Sequence, residues 1–555
     1  MLKKDVKVIR PKKTKIYKQK ENRYVYAVVD AEYKPDKQYV VESRVCVGKM
    51  LDDEYMIPNE KFLEMFPEEA EELKEVPPEK SDSLKIGAPM LINRILEDER
   101  ISMLLSDIHG DQDSRLIKDL VSYMIINETS TMQHFPGYEW EHLTTSQKNY
   151  DDTQVSGFLK EKIRVREIDR FLDGWNDIRP DKSSIYISYD STNMNTRAEG
   201  IEFGEYGHAK DNDEVEQVNI SYAIDHKDAT PLFYELYPGS IIDNSQCRWM
   251  VDKARKYGYT HIGLILDRGY FSQRNISCFD KNGYEFLMMI KTDSKLVKDK
   301  IKEAMLPLMT KPKYYLSEHE VYGLTKEGTI GDSSAVRYFH IYYDNVRAGE
   351  ERNRFLDSII EKEKQLEKKT DGKLRKEEEL LAYKKLFRLK FDEYGYLKSY
   401  KRDEKKIEEL AERYGFFVIV TSKEMTASEA LDIYRRRDSA EKMFMSLKSG
   451  LEYDTYRVHT QKSLEAKTHV VFIASIVRNE IFRRLKEISG KDKKNFTVPA
   501  AIRELERVNI VKDGNGKYIR RYGLTAKQRK ILSEFGITEK QINDAVKAIN
   551  KTIEI

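Results

Sequence analysis

The sequence predicts a multidomain α/β protein whose centre is a mixed β-sheet. Three observations predict it. Apolar residues recur at helical spacing from about 89 to 178 and then switch to strand patterning from Ser184 onward. The segments between 184 and 290 read β-β-β-α-β-α-β, the order of a mixed sheet with helices packed on it. A stretch rich in Glu and Lys then intervenes before a further apolar strand at 414–421 and an amphipathic helix. A chain of 555 residues has room for three or four domains and a substantial core.

Taken in order, residues 1–75 read as a basic arm and a small β-rich domain. The first twenty residues carry nine Lys or Arg against one Asp, an arm that can lie along DNA or stay solvated. Tyr24-Val-Tyr-Ala-Val-Val29, Tyr39-Val-Val41 and Arg44-Val-Cys-Val-Gly48 alternate around polar turns and predict a hairpin or small sheet. Residues 68–85 are acidic and contain prolines, as a linker does. Residues 86–180 form a helical domain, with Leu91-Ile92, Ile95-Leu96, Leu104-Leu105, Leu116-Ile117 and Leu120-Val121 in helical phase.

Residues 183–293 hold the first part of the core. Strands are predicted over 184–190, 215–224, 231–237, 261–267 and 284–290, with helices near 243–257 and 273–282. Residues 294–414 are an insertion. Its first part has strand-like runs such as Val336-Arg-Tyr-Phe-His-Ile-Tyr-Tyr343, and its second part, about 348–412, reads as a solvated helical hairpin broken at Thr370-Asp-Gly372. Residues 415–490 resume the core with a strand, an informative helix and a second apolar helix at about 464–486. Residues 491–555 contain a hairpin signal around Asp513-Gly-Asn-Gly516 and two short basic helices.

Bulk properties bound the function. The net charge is only +2, so any polyanion site must be built from local clusters of cations. Cys46, Cys247 and Cys278 are far apart, which argues against a disulfide framework or a zinc finger and for a reducing, cytoplasmic setting. The longest apolar run, 469–477, is too short to span a bilayer.

The informative helix is predicted over 432–448. At about 100° per residue, Tyr434, Arg437, Glu441 and Lys448 fall within roughly a 60° arc, beside an apolar arc of Ile433, Ala440, Met443, Phe444 and Leu447. A carboxylate flanked by two cations and a phenol suits a metal ligand next to phosphate-binding groups. Two aspartates stand at strand ends. Asp190 closes the first strand of the core, and Asp267 closes the fourth and precedes Arg268-Gly269-Tyr270. If those strands are adjacent and parallel, both carboxylates meet at one edge of the sheet, with the helix of Glu441 packed across it. Three converging carboxylates repel strongly without a cation, and Mg²⁺ answers with a preference for hard oxygen ligands.

The spacing Tyr-x2-Arg-x3-Glu-x6-Lys, met without a gap at Tyr434, Arg437, Glu441 and Lys448, resembles the signature of the insertion-sequence-four superfamily of bacterial DDE transposases. The runs Gly207-His-Ala-Lys-Asp211, Pro238-Gly-Ser240 with Asp243, and Asp267-Arg-Gly-Tyr270 are similar to its long subgroup. The resemblance covers most of residues 20–545. It implies a ribonuclease-H-like core interrupted by an insertion domain. It implies that Asp190, Asp267 and Glu441 bind two catalytic Mg²⁺ ions, replaceable by Mn²⁺, and that Tyr434, Arg437 and Lys448 hold the DNA backbone. Arg268, Lys210 (with His208 and Asp211), Arg457 and His459 are further candidate DNA contacts. Some members stack a flipped base on a Trp of the insertion. Residues 294–414 contain no Trp, so Tyr314, Tyr315 or Tyr342 would have to serve.

The expected function is therefore cut-and-paste transposition by a prokaryotic, nucleoid-associated enzyme. Metal-dependent cleavage at terminal inverted repeats would free a 3′ hydroxyl that attacks target DNA, with two protomers on the paired double-stranded ends. The competing expectations are a nuclease of the same fold that does not join, and a domesticated DNA-binding protein.

Overall fold

The computed structural model describes residues 7–19, 22–34, 39–67, 80–179, 182, 184–206, 215–241, 243–292, 294–331, 333–368, 383–437, 451, 455–490 and 496–553. Its centre is a ten-stranded mixed sheet. The first five strands are β1 (Ser184–Thr196), β2 (Gln217–Asp225), β3 (Pro231–Pro238), β4 (His261–Leu266) and β5 (Glu285–Ile290). Helix α1 (Asp243–Lys256) joins β3 to β4, and α2 (Gln273–Asn282) joins β4 to β5. The spatial order of these strands is 3-2-1-4-5. β1, β2 and β3 run antiparallel, while β4 lies parallel to both β1 and β5. β2 and β4 are buried along almost their whole length, β4 as an apolar run and β2 with Gln217, Asn219 and Ser221 among its buried residues.

After β5 come α3 (Lys295–Thr310), β6 (Tyr315–Leu316), β7 (Val321–Gly328), β8 (Arg337–Tyr343), α4 (Asn345–Glu367), the hairpin strands β9 (Phe387–Phe391) and β10 (Leu397–Arg402), and α5 (Glu404–Ala411). The core resumes with β11 (Phe416–Thr421), α6 (Ala427–Arg436), β12 (Thr455–Tyr456) and α7 (Gln461–Ser489). β11 pairs antiparallel with β5 on one side and β8 on the other, and β7 and β6 follow beyond β8. The first part of the predicted insertion therefore extends the central sheet. β8 is buried on nearly all of its residues, which its place in the sheet beside β11 allows.

The second part differs from the expected helical hairpin. α4 is helical, but past residue 383 the chain forms the β9–β10 hairpin, which packs Phe387, Leu397 and Tyr400 against Ile359 and Leu366 of α4. Thr370-Asp-Gly372 lies outside the described residues.

α7 is the spine of the molecule. Its 29 residues span about 44 Å and are buried along most of their length. Phe472 meets Tyr222 of β2 and Tyr234 of β3 at 6.0 and 5.0 Å between ring centroids. α7 also meets the N-terminal helices, where His469 lies edge-on to Phe171 at 4.9 Å. Those helices are Gly87–Asp98, Ile101–Asn127, Phe135–Glu141, Asp152–Lys162 and Val165–Asp177. Trp175 ties the last of them to β3 by donating to the Pro231 carbonyl at 2.9 Å.

Two N-terminal expectations change. Thr14–Gln19 is a strand of a five-stranded antiparallel sheet, paired with Asn22–Lys34, so the basic run from residue 14 is folded. Ser83–Lys85, at the end of the predicted linker, pairs with Asn509–Lys512, whose hairpin partner is Tyr518–Arg520. This small sheet fastens the C-terminal region onto the N-terminal helices.

Candidate active site

Asp267 directly follows β4. Its backbone is extended (φ −74°, ψ 163°), and its carbonyl accepts from Tyr270 N–H at 3.0 Å to close the short turn Arg268–Tyr270. The parallel register of β4 on β1 runs from His261 opposite Ser184 to Ile265 opposite Ser188. Each aspartate stands two residues past the last pair of that ladder, Asp267 after Ile265 and Asp190 after Ser188. The condition set by the sequence, adjacent and parallel strands, is met.

β1 does not end at Asp190, as the sequence suggested. It runs on to Thr196 because β2 pairs with its other edge, with Asp190 opposite Tyr222. On the β4 side the ladder stops at Ser188, and β12 takes up the edge again at Asn195 and Thr196. Residues 189–194 thus border a gap in the sheet among the described residues, with Asp267 at its margin.

α6 brings the second group of residues to this margin. Thr426 and Glu429 form a capping box at its start, and Ala427, Ala430 and Leu431 bury its inner face. That face packs on Ile265, Leu287, Ile419 and Tyr342. The helix is capped at its C-terminus by Arg437, whose guanidinium Nη2 lies 3.9 Å from Asp267 Oδ1 and whose carbon centre is 5.4 Å from the Tyr434 ring. Arg437 is only 7% exposed. The predicted polar stripe is therefore turned inward at this point, because the end of α6 abuts the end of β4 rather than water. A buried cation is stabilised by the neighbouring carboxylate. Asp267, Tyr434 and Arg437 are brought together; Glu441 and Lys448 lie outside the described residues, as do Lys210, His208 and Asp211.

The remaining candidates are more dispersed. Arg268 is exposed in the turn after Asp267. Arg457 is exposed and donates to Thr131 Oγ1 at 3.0 Å, linking the loop after β12 to the N-terminal helices. His459 is exposed; its carbonyl oxygen packs so closely on Gly200 that a Cβ there would sit 2.2 Å away. Tyr342 is a core residue, stacked on Phe417 at 4.8 Å with its hydroxyl donating to the Ala427 carbonyl, so it cannot receive a flipped base. Tyr315 is 47% exposed against Tyr322. Tyr314 lines a 590 Å³ cavity with Leu316, Thr325, Tyr338 and Met425.

One cluster escaped sequence reading. Glu318, His319 and Asp432 offer ligand atoms within 4.8 Å of one another, between the turn before β7 and α6. His319 Nε2 is 3.6 Å from Asp432 Oδ1. Arg435 Nη1 faces Nδ1 at 3.4 Å, and Nη2 donates to the His319 carbonyl at 3.2 Å. An arginine can only donate, so it leaves the ring proton on Nε2, toward Asp432. We read the cluster as a clasp that fixes α6 to the turn. The two halves are 113 residues apart in sequence, Asp432 against His319, and no local pattern announces them.

Residues 183–477 match the family described as transposase DDE domain. No curated protein sequence matches the chain. Among solved structures, the chain is similar to a piggyBac transposase synaptic complex with hairpin DNA, determined by cryo-electron microscopy. The identity is 9%, covering 83% of this chain and 75% of the other, with a TM-score of 0.31, a likeness too weak to build on.

Proposed function

The chain belongs to the transposase DDE domain family, and from that premise we propose that it is a DNA transposase of the cut-and-paste kind, related to the insertion-sequence-four superfamily. The single observation that carries the proposal is that β4 lies parallel and next to β1, so that Asp267 ends the strand adjacent to the one that holds Asp190, with the Arg437 guanidinium 3.9 Å from Asp267. The strand order 3-2-1-4-5 supports a ribonuclease-H-like core. Glu441 is the third carboxylate of the proposal. It follows Arg437 by four residues, so the chain holds it within about 14 Å of that residue's backbone.

Asp190, Asp267 and Glu441 would hold Mg²⁺ or Mn²⁺; the donor set fits, being oxygen-only, with aspartates on adjacent strands. Bound divalent ions would supply charge neutralisation at the phosphodiester and activation of the attacking oxygen. The chain's own residues do the positioning. Arg437, buried beside Tyr434 and Asp267, would offer a planar donor fork to a phosphate held at that edge. Tyr434 and Lys448 would steady the same backbone, with Arg268, Lys210, Arg457 and His459 as outer contacts. Cleavage would expose a 3′ hydroxyl, and the same carboxylates would serve its attack on target DNA. Two protomers would hold the two ends, in the cytoplasm at the nucleoid.

The test is incubation of a labelled duplex, made from the DNA flanking the gene, with Mg²⁺ or Mn²⁺ and either wild type or Glu441→Gln. Site-specific nicks and joined products from wild type alone support the proposal. Nicks without joining indicate a nuclease. DNA binding without metal-dependent cleavage by folded wild type would overturn catalysis and leave a binding protein.

A further inference from the structure

The β9–β10 hairpin has two unlike faces. Its inner face is apolar and fastened to α4, with Arg402 also donating to Glu363 Oε1 at 2.7 Å. Its outer face is basic. Arg388 stands directly opposite Lys401, and Lys390 opposite Ser399, so these side chains share one face. Lys398 sits at the register shift beside them, and all four cations are exposed.

Like charges directly across a ladder destabilise it. Asp403 offsets part of this by accepting from Arg388 at 3.0 Å, yet the Arg388 side chain remains 70% exposed. Asp392 is committed to the turn, where it accepts from the N–H groups of Tyr394 and Tyr396. Tyr394 at the tip is 83% exposed. In a chain of net charge +2, this is a concentrated cationic ribbon kept at a cost in ladder stability.

Its position relative to the carboxylates matters. Leu266 lies in the same row as Met288, Val420 and Phe339 across β4, β5, β11 and β8. β8 runs parallel to β4, so the chain leaves the sheet at Tyr343 and returns at Phe416 on the edge that carries Asp267. Three strand spacings separate β4 from β8 along that edge, about 14 Å. α4, with 23 residues, carries the hairpin along a rod of about 35 Å, comparable to ten base pairs of duplex at about 3.4 Å each.

We propose that the outer face of the β9–β10 hairpin binds duplex DNA on the flank of the segment held at Asp190 and Asp267. The occupant rests on the transposase reading. Arg388, Lys390, Lys398 and Lys401 contact phosphates, which fix position without reading sequence. A two-stranded ribbon has the width that the major groove admits, which sets Tyr394 at the groove floor.

The test uses the full chain and a 30-base-pair duplex of unrelated sequence. Kd is measured by fluorescence anisotropy across a salt series for wild type, for a variant with Arg388→Gln, Lys390→Gln, Lys398→Gln and Lys401→Gln, and for a control with Arg521→Gln, Lys540→Gln, Lys547→Gln and Lys551→Gln. The hairpin variant is expected to bind at least tenfold more weakly at low salt, and its log–log salt slope to fall by about 3.6, four contacts at about 0.9 each. The control should shift less than threefold. Lys390→Glu alone is a second probe and should weaken binding severalfold. Unchanged affinity and slope in the hairpin variant, an equal loss in the control, or a loss confined to single strands would overturn the proposal. Nicking of the flank duplex is scored in the same preparations. Wild type that binds as expected but never nicks sinks the transposase reading alone; nicking with unaltered hairpin-variant binding sinks this surface alone.

Discussion

Arg437 and Asp267 meet across 3.9 Å with very different exposures, 8% for the arginine side chain and 39% for the aspartate. The cation is fixed within the protein, while the carboxylate is partly open to solvent. Charge at Asp267 thus serves the fold and the proposed chemistry together. Asp267→Asn keeps the shape and removes the charge. It is expected to lower nicking of the flank duplex by about 10²- to 10³-fold or more, and to cost about 1–3 kcal/mol of stability by weakening the partner of a buried guanidinium. Full nicking by the amide variant would remove Asp267 from the site.

The same contact implies competition. A guanidinium beside Asp267 opposes any divalent cation there, though the exposure of the carboxylate screens much of the effect. Arg437→Gln should therefore bind Mn²⁺ about three- to tenfold more tightly in the DNA-free protein, equivalent to about 0.7–1.4 kcal/mol, while nicking falls because the phosphate fork is gone. Calorimetric titration with Mn²⁺ tests this; weaker binding by the variant would mean that Arg437 supports the cation site through structure rather than opposing it through charge.

Phe472 couples the spine helix to the strand opposite Asp190. It is fully buried against Tyr222 and Tyr234, and Tyr222 is the register partner of Asp190. Phe472→Ala should lower stability by about 3–5 kcal/mol, the usual cost of a large cavity in a core. Urea unfolding followed by tryptophan fluorescence would detect it through Trp175, which bonds to β3. A loss below about 1 kcal/mol would show that α7 is not the packing spine described here.

These elements differ in how legible they were. β4 and β5 announce themselves because burial on both faces leaves unbroken apolar runs, and Asp267 stands out as the first charge after such a run. The end of β1 was misplaced because Ser191-Thr-Asn-Met-Asn-Thr196 looks polar, although pairing with β2 keeps it in the sheet. The burial of Arg437 was hidden because a helical wheel shows which residues share an arc but not which arc meets the end of β4. The β9–β10 hairpin was obscured by the Glu and Lys around it, though Phe387, Leu389 and Phe391 alternate with cations and Gly395 adopts the positive φ of +82° that its turn requires.

His469 supplies a pH test of the α7 packing. It is fully buried, both ring nitrogens lack hydrogen-bond partners among the described residues, and burial, reinforced by the nearby His109, lowers its pKa to about 3. The folded state keeps the ring neutral, whereas an unfolded histidine titrates near 6.5. Between those values the unfolded chain binds more protons, so the stability contribution is fully present above about pH 6.5 and is lost as pH falls toward 3. At pH 5 the loss is about 2 kcal/mol, from a gap of roughly 1.5 pH units below the unfolded value. His340 and His226, both lowered to about 4 chiefly by burial, act with the same sign. Glu139, raised to about 7 chiefly by burial, acts with the opposite sign between about 4.5 and 7. A substitution at His469 isolates its share from these. His469→Leu removes the titration and two unpartnered polar atoms at nearly constant volume, so it should be neutral or slightly stabilising at pH 7.5. At pH 5 it should exceed wild type by about 2 kcal/mol in urea unfolding. The same difference between variant and wild type at both pH values would show that His469 does not titrate between the folded and unfolded states, and that its surroundings are wetter than the packing against Phe171 indicates.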